Sequence, residues 1–380
     1  MSNLLEDVKQ LLASTNGTSR GILLEELQEL IVSAETSQET ATRMYPLQAS
    51  AARIGHDLKI FEALRSSGTK TLEQLQDMTN ANPITLVLGR LLRYMASVGL
   101  IREAGVNQFE ANQTCQKLAT PEAVTTLTHF FDNGGPLFQA MPAFLRNSNY
   151  QDVTDEKATV FQSALKTDLD TYTWFSQNPE LLGALVKYMA LEQSVRARWL
   201  DEYPIERDTQ NWDPTLPVFV DVGGNVGHYC ALFRHRFPNV PGRVILQDLP
   251  HTLAQALQTP GVEALAHDFF EPQPLKGARF YHLGWILHNW SDEKSKHILR
   301  QIRSAMGVQS VLLINDMILP ETEVPAHAAA LDLVMLGGCG GRERTMKEWR
   351  DLLGDVGLVI KECIMYNREL CHGIIGVVLS

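Results

Sequence analysis

Four side chains able to do chemistry stand where short apolar runs in the second half of the chain come to an end. Asp221 lies in Val218-Phe-Val-Asp-Val-Gly-Gly-Asn-Val-Gly-His228, an apolar run feeding a glycine turn. Asp248 closes the next run (VILQDLP), and Asp268, with Phe269 beside it, closes a third (LAHDFF). His288 follows a fourth run, Ala278–Leu283. Gly223, Gly224 and Gly227 let backbone approach a ligand closely and adopt positive φ. Asn225 interrupts them, but asparagine tolerates left-handed geometry better than most residues. A carboxylate at the position of Asp248 can accept the hydroxyl hydrogens of a ribose. Asp268 with Phe269 can hold and stack an adenine. The spacing G-G-x-x-G, in place of G-x-G-x-x-G, leans toward an adenosyl group without pyrophosphate. An imidazole such as that of His288 takes up or releases a proton near neutral pH.

The elements that must position these groups read as a parallel α/β sheet. Apolar runs at Val218–Val222, Val244–Leu246, Ala278–Leu283, Val311–Ile314, Leu358–Met365 and Ile374–Leu379 alternate with helical stretches. Such alternation predicts a mostly parallel sheet covered by helices on both faces. The last two runs follow closely and predict an antiparallel edge hairpin. His288 then sits at a strand's carboxyl end, before a helix capped by Ser291 and begun by Asp292 and Glu293.

The first half reads as helix. Ile22, Leu23, Leu27, Leu30 and Ile31 recur near helical spacing. Residues 50–64 form a second helix and Thr71–Met78 a third. Asn82 and Pro83 open a fourth that Gly99 ends, and Leu100 to Phe109 is a two-stranded wing. Helix, helix and wing is a winged-helix order, often used on DNA. Yet the fourth helix, second of the winged-helix pair, carries only Arg90 and Arg93 among Leu86, Val87, Leu88, Leu91, Leu92 and Met95. An apolar face of this kind suits a partner subunit better than a DNA groove, and ordinary core packing is the plainer alternative. The division expected is 1–120 as a helical dimerisation domain, 121–205 as a helical connector rich in aromatics, and 206–380 as the ligand-binding domain.

Bulk properties narrow the function classes. A net charge of −11 over 380 residues argues against nucleic-acid binding, which needs a basic face. No apolar stretch approaches the roughly 20 residues of a membrane helix. The start, MSNLLEDVKQLL, carries acids early and does not resemble a secretory signal. Cys115, Cys230, Cys339, Cys363 and Cys371 are scattered without a CxxC pair. Neither a disulfide framework nor a metal site is expected, and a reducing, cytoplasmic setting fits.

The segments FVDVGGNVGH, VILQDLP, HDFFEPQP, YHLGWILHNWSDEKS, NDMILPE and GGRERTMKEWRDLLGDVGL together resemble, in kind and order, the plant and fungal O-methyltransferases of secondary metabolism. The resemblance implies a class I methyltransferase Rossmann-like sheet behind an N-terminal, mainly helical winged-helix dimerisation domain. It implies S-adenosyl-L-methionine as cofactor, a small-molecule natural product as substrate, and a homodimer, with no nucleic-acid or membrane partner. The cofactor set would be Asp221, Gly223, Gly224, Gly227, Asp248, Leu249, Asp268 and Phe269. Trp285 would lie between cofactor and substrate.

By the same resemblance His288 would be the general base of methyl transfer, oriented by carboxylates that map onto Asp316 and Glu343. His129, Phe130, Trp174, Met189, Met335 and Leu336 are expected to line an apolar substrate pocket. Three positions depart from the family pattern. Many members carry Lys at the place of Gly284, Asp at that of Asn289 and Glu at that of Asp316. Some fungal relatives of this kind keep the cofactor's methyl group and use its sulfonium as a fixed charge for dehydration and pericyclic ring closure. Retention of His288 and Glu343 favours methyl transfer, and the departures favour the pericyclase alternative. A DNA-binding regulator, the third possibility, would leave His288 and Glu343 without a role.

Overall fold

In the computed structural model, which describes residues 2–15, 17–66, 68–79, 85–153 and 155–380, the chain divides into two compact units, Met1–Asn133 and Gly134–Ser380. The first unit is helical, with helices Ser2–Ser14, Gly17–Ala34, Ser37–Arg43, Leu47–Asp57, Ile60–Ser66, Leu72–Thr79 and Thr85–Ser97. The single helix expected over 50–64 is two helices. Leu58 caps the first and Lys59 turns left-handed at φ 53°. The reversal seats Phe61 against Gly55, where an added Cβ would lie 2.7 Å from the ring. The expected capping by Asn82 and Pro83 lies outside the described residues.

Helix Thr85–Ser97 corrects the expectation of a partner-facing surface. Leu88, Leu92 and Met95 are buried within this unit's own core, together with Ile60, Phe61 and Leu75. Leu91 is half-buried against the same core, and Val87 remains exposed. After Gly99, at φ 76°, come β2 (Arg102–Gly105) and β3 (Gln108–Glu110). They join β1 (Lys70–Thr71) in a three-stranded antiparallel sheet of order β1-β3-β2, one strand more than expected.

The second unit carries the main sheet. Its strands are β4 (Pro217–Val222), β5 (Arg243–Asp248), β6 (Val262–Ala266), β7 (Phe280–Gly284), β8 (Val311–Leu319), the short β9 (Arg344–Thr345), β10 (Leu358–Asn367) and β11 (His372–Leu379). The order is β10-β11-β8-β7-β4-β5-β6, with β9 beside β8. Strands β4 to β8 run parallel, while β11 is antiparallel to both β8 and β10, as the hairpin expectation had it. Every residue of β4 and β8 is buried, because helices cover both faces of a parallel sheet. One face packs on helices Asp292–Arg303 and Met346–Gly354. The other packs on Trp199, Leu200, Cys230 and Phe233. No helix among the described residues is long and apolar enough to cross a membrane.

Candidate active site

The parallel strands bring the glycine turn and the two acids that follow it to one corner. Gly223, Asn225 and Gly227 have φ of 70°, 55° and 91°, so the left-handed tolerance of Asn225 is used. The N–H groups of Gly223 and Gly224 both donate to the carbonyl of Gln247, at 2.8 and 3.0 Å, which fastens the turn to the end of β5. There Asp248 accepts from the N–H of Asn225 through Oδ2 and from that of Leu249 through Oδ1, each at 2.8 Å. The N–H of His267 donates to the Asp248 carbonyl at 3.0 Å. Asp268 therefore lies beside Asp248, two residues past β6, and its Oδ1 accepts from the N–H of Phe270. A Cβ on Gly223 would come 2.9 Å from Ile286 and 3.2 Å from the Phe269 ring. Only glycine fits so close to Ile286 and the aromatic ring at this positive φ. Leu249 is exposed at the rim.

Asp221 is placed differently. It is 1% exposed, inside β4 and not at the open end of the strand. Its Oδ1 accepts from Nδ1 of His282 at 2.7 Å, and its Oδ2 lies 3.8 Å from the Cys230 thiol. A Cβ on Gly224 would meet that Oδ2 at 2.4 Å. Asp221 thus supports the turn from beneath. His282, fully buried and stacked on Trp199 at 4.9 Å, is a supporting residue that the sequence reading missed.

Past β7 the chain enters an unusual conformation. Trp285 has φ 57°, rare for a bulky side chain and of the kind that marks functional sites. Its N–H donates to the carbonyl of Asn315 in β8 at 2.8 Å. Three residues on, His288 lies buried in a short 3-10 turn, Leu287–Asn289. Its Nδ1 donates to Oε1 of Glu343 at 2.8 Å, while Oδ1 of Asp316 stands 3.9 Å away. The shorter arm of aspartate thus falls short of a hydrogen bond, and Asp316 Oδ1 accepts instead from the N–H of Met317. All three residues are buried. Burial opposes charging of His288, but the negative charge of Glu343, and after it that of Asp316, raises its pKa above the ordinary 6.5. Burial first, against the counter-effect of His288 and with the charge of Glu343 added, pushes the Asp316 carboxyl up to about 6.

The frame around this histidine came from residues the sequence reading left out. Asp332 accepts the backbone N–H of Glu343 at 2.7 Å; a lone carboxylate in the apolar helix Ala326–Cys339 was its available signal. The Arg344 guanidinium, 1% exposed, donates to the carbonyls of Leu287 and Trp290 and to Asp292, clamping the turn that carries His288. Ser291 occupies the N-cap position of helix Asp292–Arg303 without a side-chain capping bond. The capping box of Thr345 and Glu348 is formed. Arg196, at the end of helix Pro179–Arg196, lays its guanidinium 3.7 Å over the Trp285 ring.

Two of the three departures have local causes. A Cβ at Gly284 would lie 2.7 Å from the His282 ring and 2.9 Å from that of Tyr229, so a long side chain there would displace both. Asn289 donates to the carbonyl of Trp285 at 3.1 Å and so braces the turn. Among the residues expected to line a substrate pocket, Met335 packs in one cluster with Trp285 and Met317. Trp174 sits edge-on to Phe161 and Phe175 in a satellite core, and Met189 is exposed on its helix. His129 and Phe130 belong to the first unit, where burial pulls the His129 imidazole down to about 4.

Comparison with known proteins decides the family. Residues 210–359 match the O-methyltransferase domain. The chain is 38% identical to the demethylsterigmatocystin 6-O-methyltransferase of Aspergillus parasiticus, over 97% of its own length and 96% of that protein. It belongs to the O-methyltransferases of fungal secondary metabolism. It is also 34% identical to O-methyltransferase LepI of Aspergillus flavus, over 95% of this chain and 94% of that one. The structure of the LepI complex with SAM matches with a TM-score of 0.82 and 32% identity, covering 100% of this chain and 98% of that one. A structure of a pericyclic reaction enzyme matches equally well, at 31% identity over 100% of this chain and 99% of that one. The family's cofactor is S-adenosylmethionine, and the tight glycine turn at Gly223 beside Phe269, with the carboxylates of Asp248 and Asp268 at the same strand ends, fits its adenosyl part in the chemistry of its donors.

Proposed function

We propose that this enzyme transfers a methyl group to a hydroxyl oxygen of a phenolic, enolic or polyketide-derived natural product, with His288 as general base. The observation that carries this reading is the 2.8 Å hydrogen bond from His288 Nδ1 to Glu343. It fixes the tautomer, leaves Nε2 as the nitrogen that receives the substrate proton, and stabilises the imidazolium that results. Asp316, at 3.9 Å, adds negative charge without orienting the ring. S-adenosylmethionine, when bound, supplies an electrophilic methyl group on a sulfonium. Asp248 would accept from its ribose, Asp268 and Phe269 would hold its adenine, and Trp285 would separate it from substrate. An oxygen acceptor is supported by the relative named as a 6-O-methyltransferase. Leu30 and Ile31 are exposed on helix Gly17–Ala34, and Met44 and Tyr45 in the turn that follows helix Ser37–Arg43. A surface of this kind suits a second copy of the chain, and sedimentation of the purified protein tests for the dimer.

The second reading, ring closure assisted by the cofactor's charge, is supported by the likeness to LepI and by the long Asp316–His288 distance. Incubation with methyl-labelled S-adenosylmethionine and a panel of phenols and hydroxypyridones separates the two. Label in product, with one S-adenosylhomocysteine formed per turnover, is the expected result. A cyclised product that needs the cofactor yet carries no label would replace the first reading by the second.

A further inference from the structure

Two polar side chains meet in the interior beside the cofactor corner. Gln247, which precedes Asp248 in β5, and Gln273 are 0% and 1% exposed. Their side-chain amides bond to each other in both directions. Nε2 of Gln247 donates to Oε1 of Gln273 at 2.9 Å, and Nε2 of Gln273 donates back to Oε1 of Gln247 at 2.8 Å. Either amide alone would carry the full cost of losing water, so each needs the other. A reciprocal pair also fixes distance and orientation, because neither amide can slide without breaking a bond.

The pair joins two walls of the place where an adenosine would lie. The main-chain carbonyl of Gln247 takes the N–H groups of Gly223 and Gly224, so this residue holds the glycine turn through its backbone. Gln273 belongs to the segment that starts at Asp268. There the Asp268 carbonyl accepts the N–H of Glu271 at 2.9 Å, and its carboxylate accepts that of Phe270. Pro272 and Pro274 flank Gln273 and fix φ on either side, while its Oε1 also takes the N–H of Leu275 at 3.2 Å. The stretch from Asp268 to Leu275 is therefore stiff, and a shift at Gln273 carries to Phe269. That ring stands 3.2 Å from where a Cβ on Gly223 would be. One residue thus holds the glycine turn with its main chain and the Phe269 segment with its side chain. An apolar pair could fill the same volume but would leave the spacing to less directional packing.

We infer that Gln247 and Gln273 are positioning residues for the cofactor, their amide pair setting the gap between the glycine turn and Phe269 in which the adenosine is held. The inference rests on S-adenosylmethionine being the cofactor and is independent of whether its methyl group moves. It is tested by calorimetry on the full chain with S-adenosylhomocysteine and with adenosine, alongside melting temperatures, for Gln247→Met, Gln273→Met and the double variant. Each single variant should melt lower and bind both ligands about tenfold more weakly. The double variant leaves no amide facing an apolar partner, so its melting temperature should return most of the way to wild type. Its affinity should stay low, an outcome that a purely structural pair does not produce. Affinity that recovered together with the melting temperature would overturn the inference, as would a loss seen with S-adenosylhomocysteine and not with adenosine. If the single variants failed to fold, the double variant would decide by itself. A wild-type chain that bound neither ligand would remove the cofactor assignment as well.

Discussion

The backbone N–H of Asn225 and the carboxylate of Asp248 meet at 2.8 Å, joining the glycine turn after β4 to the end of β5. One acid thereby shapes the loop that must admit a ligand and remains beside it to accept from that ligand. Asp248→Ala should therefore weaken S-adenosylhomocysteine by about 10- to 100-fold, the range for losing hydrogen bonds to a charged group, as read by calorimetry. Affinity within twofold of wild type would remove Asp248 from the cofactor site.

Gly341 touches the turn that carries His288 through backbone alone. A Cβ there would fall 2.0 Å from the carbonyl oxygen of His288, which also accepts from the N–H of Arg342 at 2.9 Å. Gly341→Ala must shift the His288 turn and the loop that carries Glu343 relative to each other, which disturbs their hydrogen bond. Turnover should drop by about 100-fold, since misplacement of this size is costly at a reacting centre, while cofactor affinity is retained. Paired turnover and calorimetric measurements check this, and joint loss of both would point to general misfolding.

Glu343 controls the titration of His288. The proposed base works when neutral, so kcat/KM should rise with pH through the imidazole pKa, which stands above 6.5 because Glu343 and Asp316 outweigh burial. Removing the larger of those two charges lowers that pKa. Glu343→Gln should shift the rising limb of the pH profile to lower pH and reduce the plateau by about 10- to 1000-fold through loss of tautomer control. A limb that moved upward would contradict the assignment of His288 as base.

Asp316 makes stability depend on pH in a direction unusual for an aspartate. Its folded-state pKa is raised, to about 6 against the ordinary 3.8. The folded chain thus holds this proton more tightly than the unfolded one. That contribution to stability is present below the unfolded value and lost as pH rises through the folded value. Asp316→Asn cannot ionise and escapes the loss. Its melting temperature relative to wild type should be more favourable at about pH 8 than at about pH 5. The opposite trend would show that Asp316 gains more from His288 than it loses to burial.

Legibility in the sequence followed the range of the interaction. Strands such as Val218–Val222 and Val311–Ile314 announce themselves because burial on both faces demands continuous apolar runs. The glycine turn was legible because backbone at φ 70° and 91° restricts residue choice locally. Asp248 and Asp268 were legible because parallel order puts successive strand ends on one edge. Polar Asn315 and Asp316 inside the wholly buried strand β8 carried a signal, of which only the aspartate was read.

What the sequence by itself determined is therefore the sheet, its hairpin edge, the glycine turn and the family, all set by local pattern and motif order. Tertiary structure alone decided that Asp221 turns inward to His282, that Glu343 and not Asp316 reaches His288, and that Leu88, Leu92 and Met95 fill a core inside the first unit. It alone set Arg196 on Trp285. These outcomes depend on side-chain reach across elements far apart in the chain, and a difference of one methylene or one strand position leaves no trace in local periodicity.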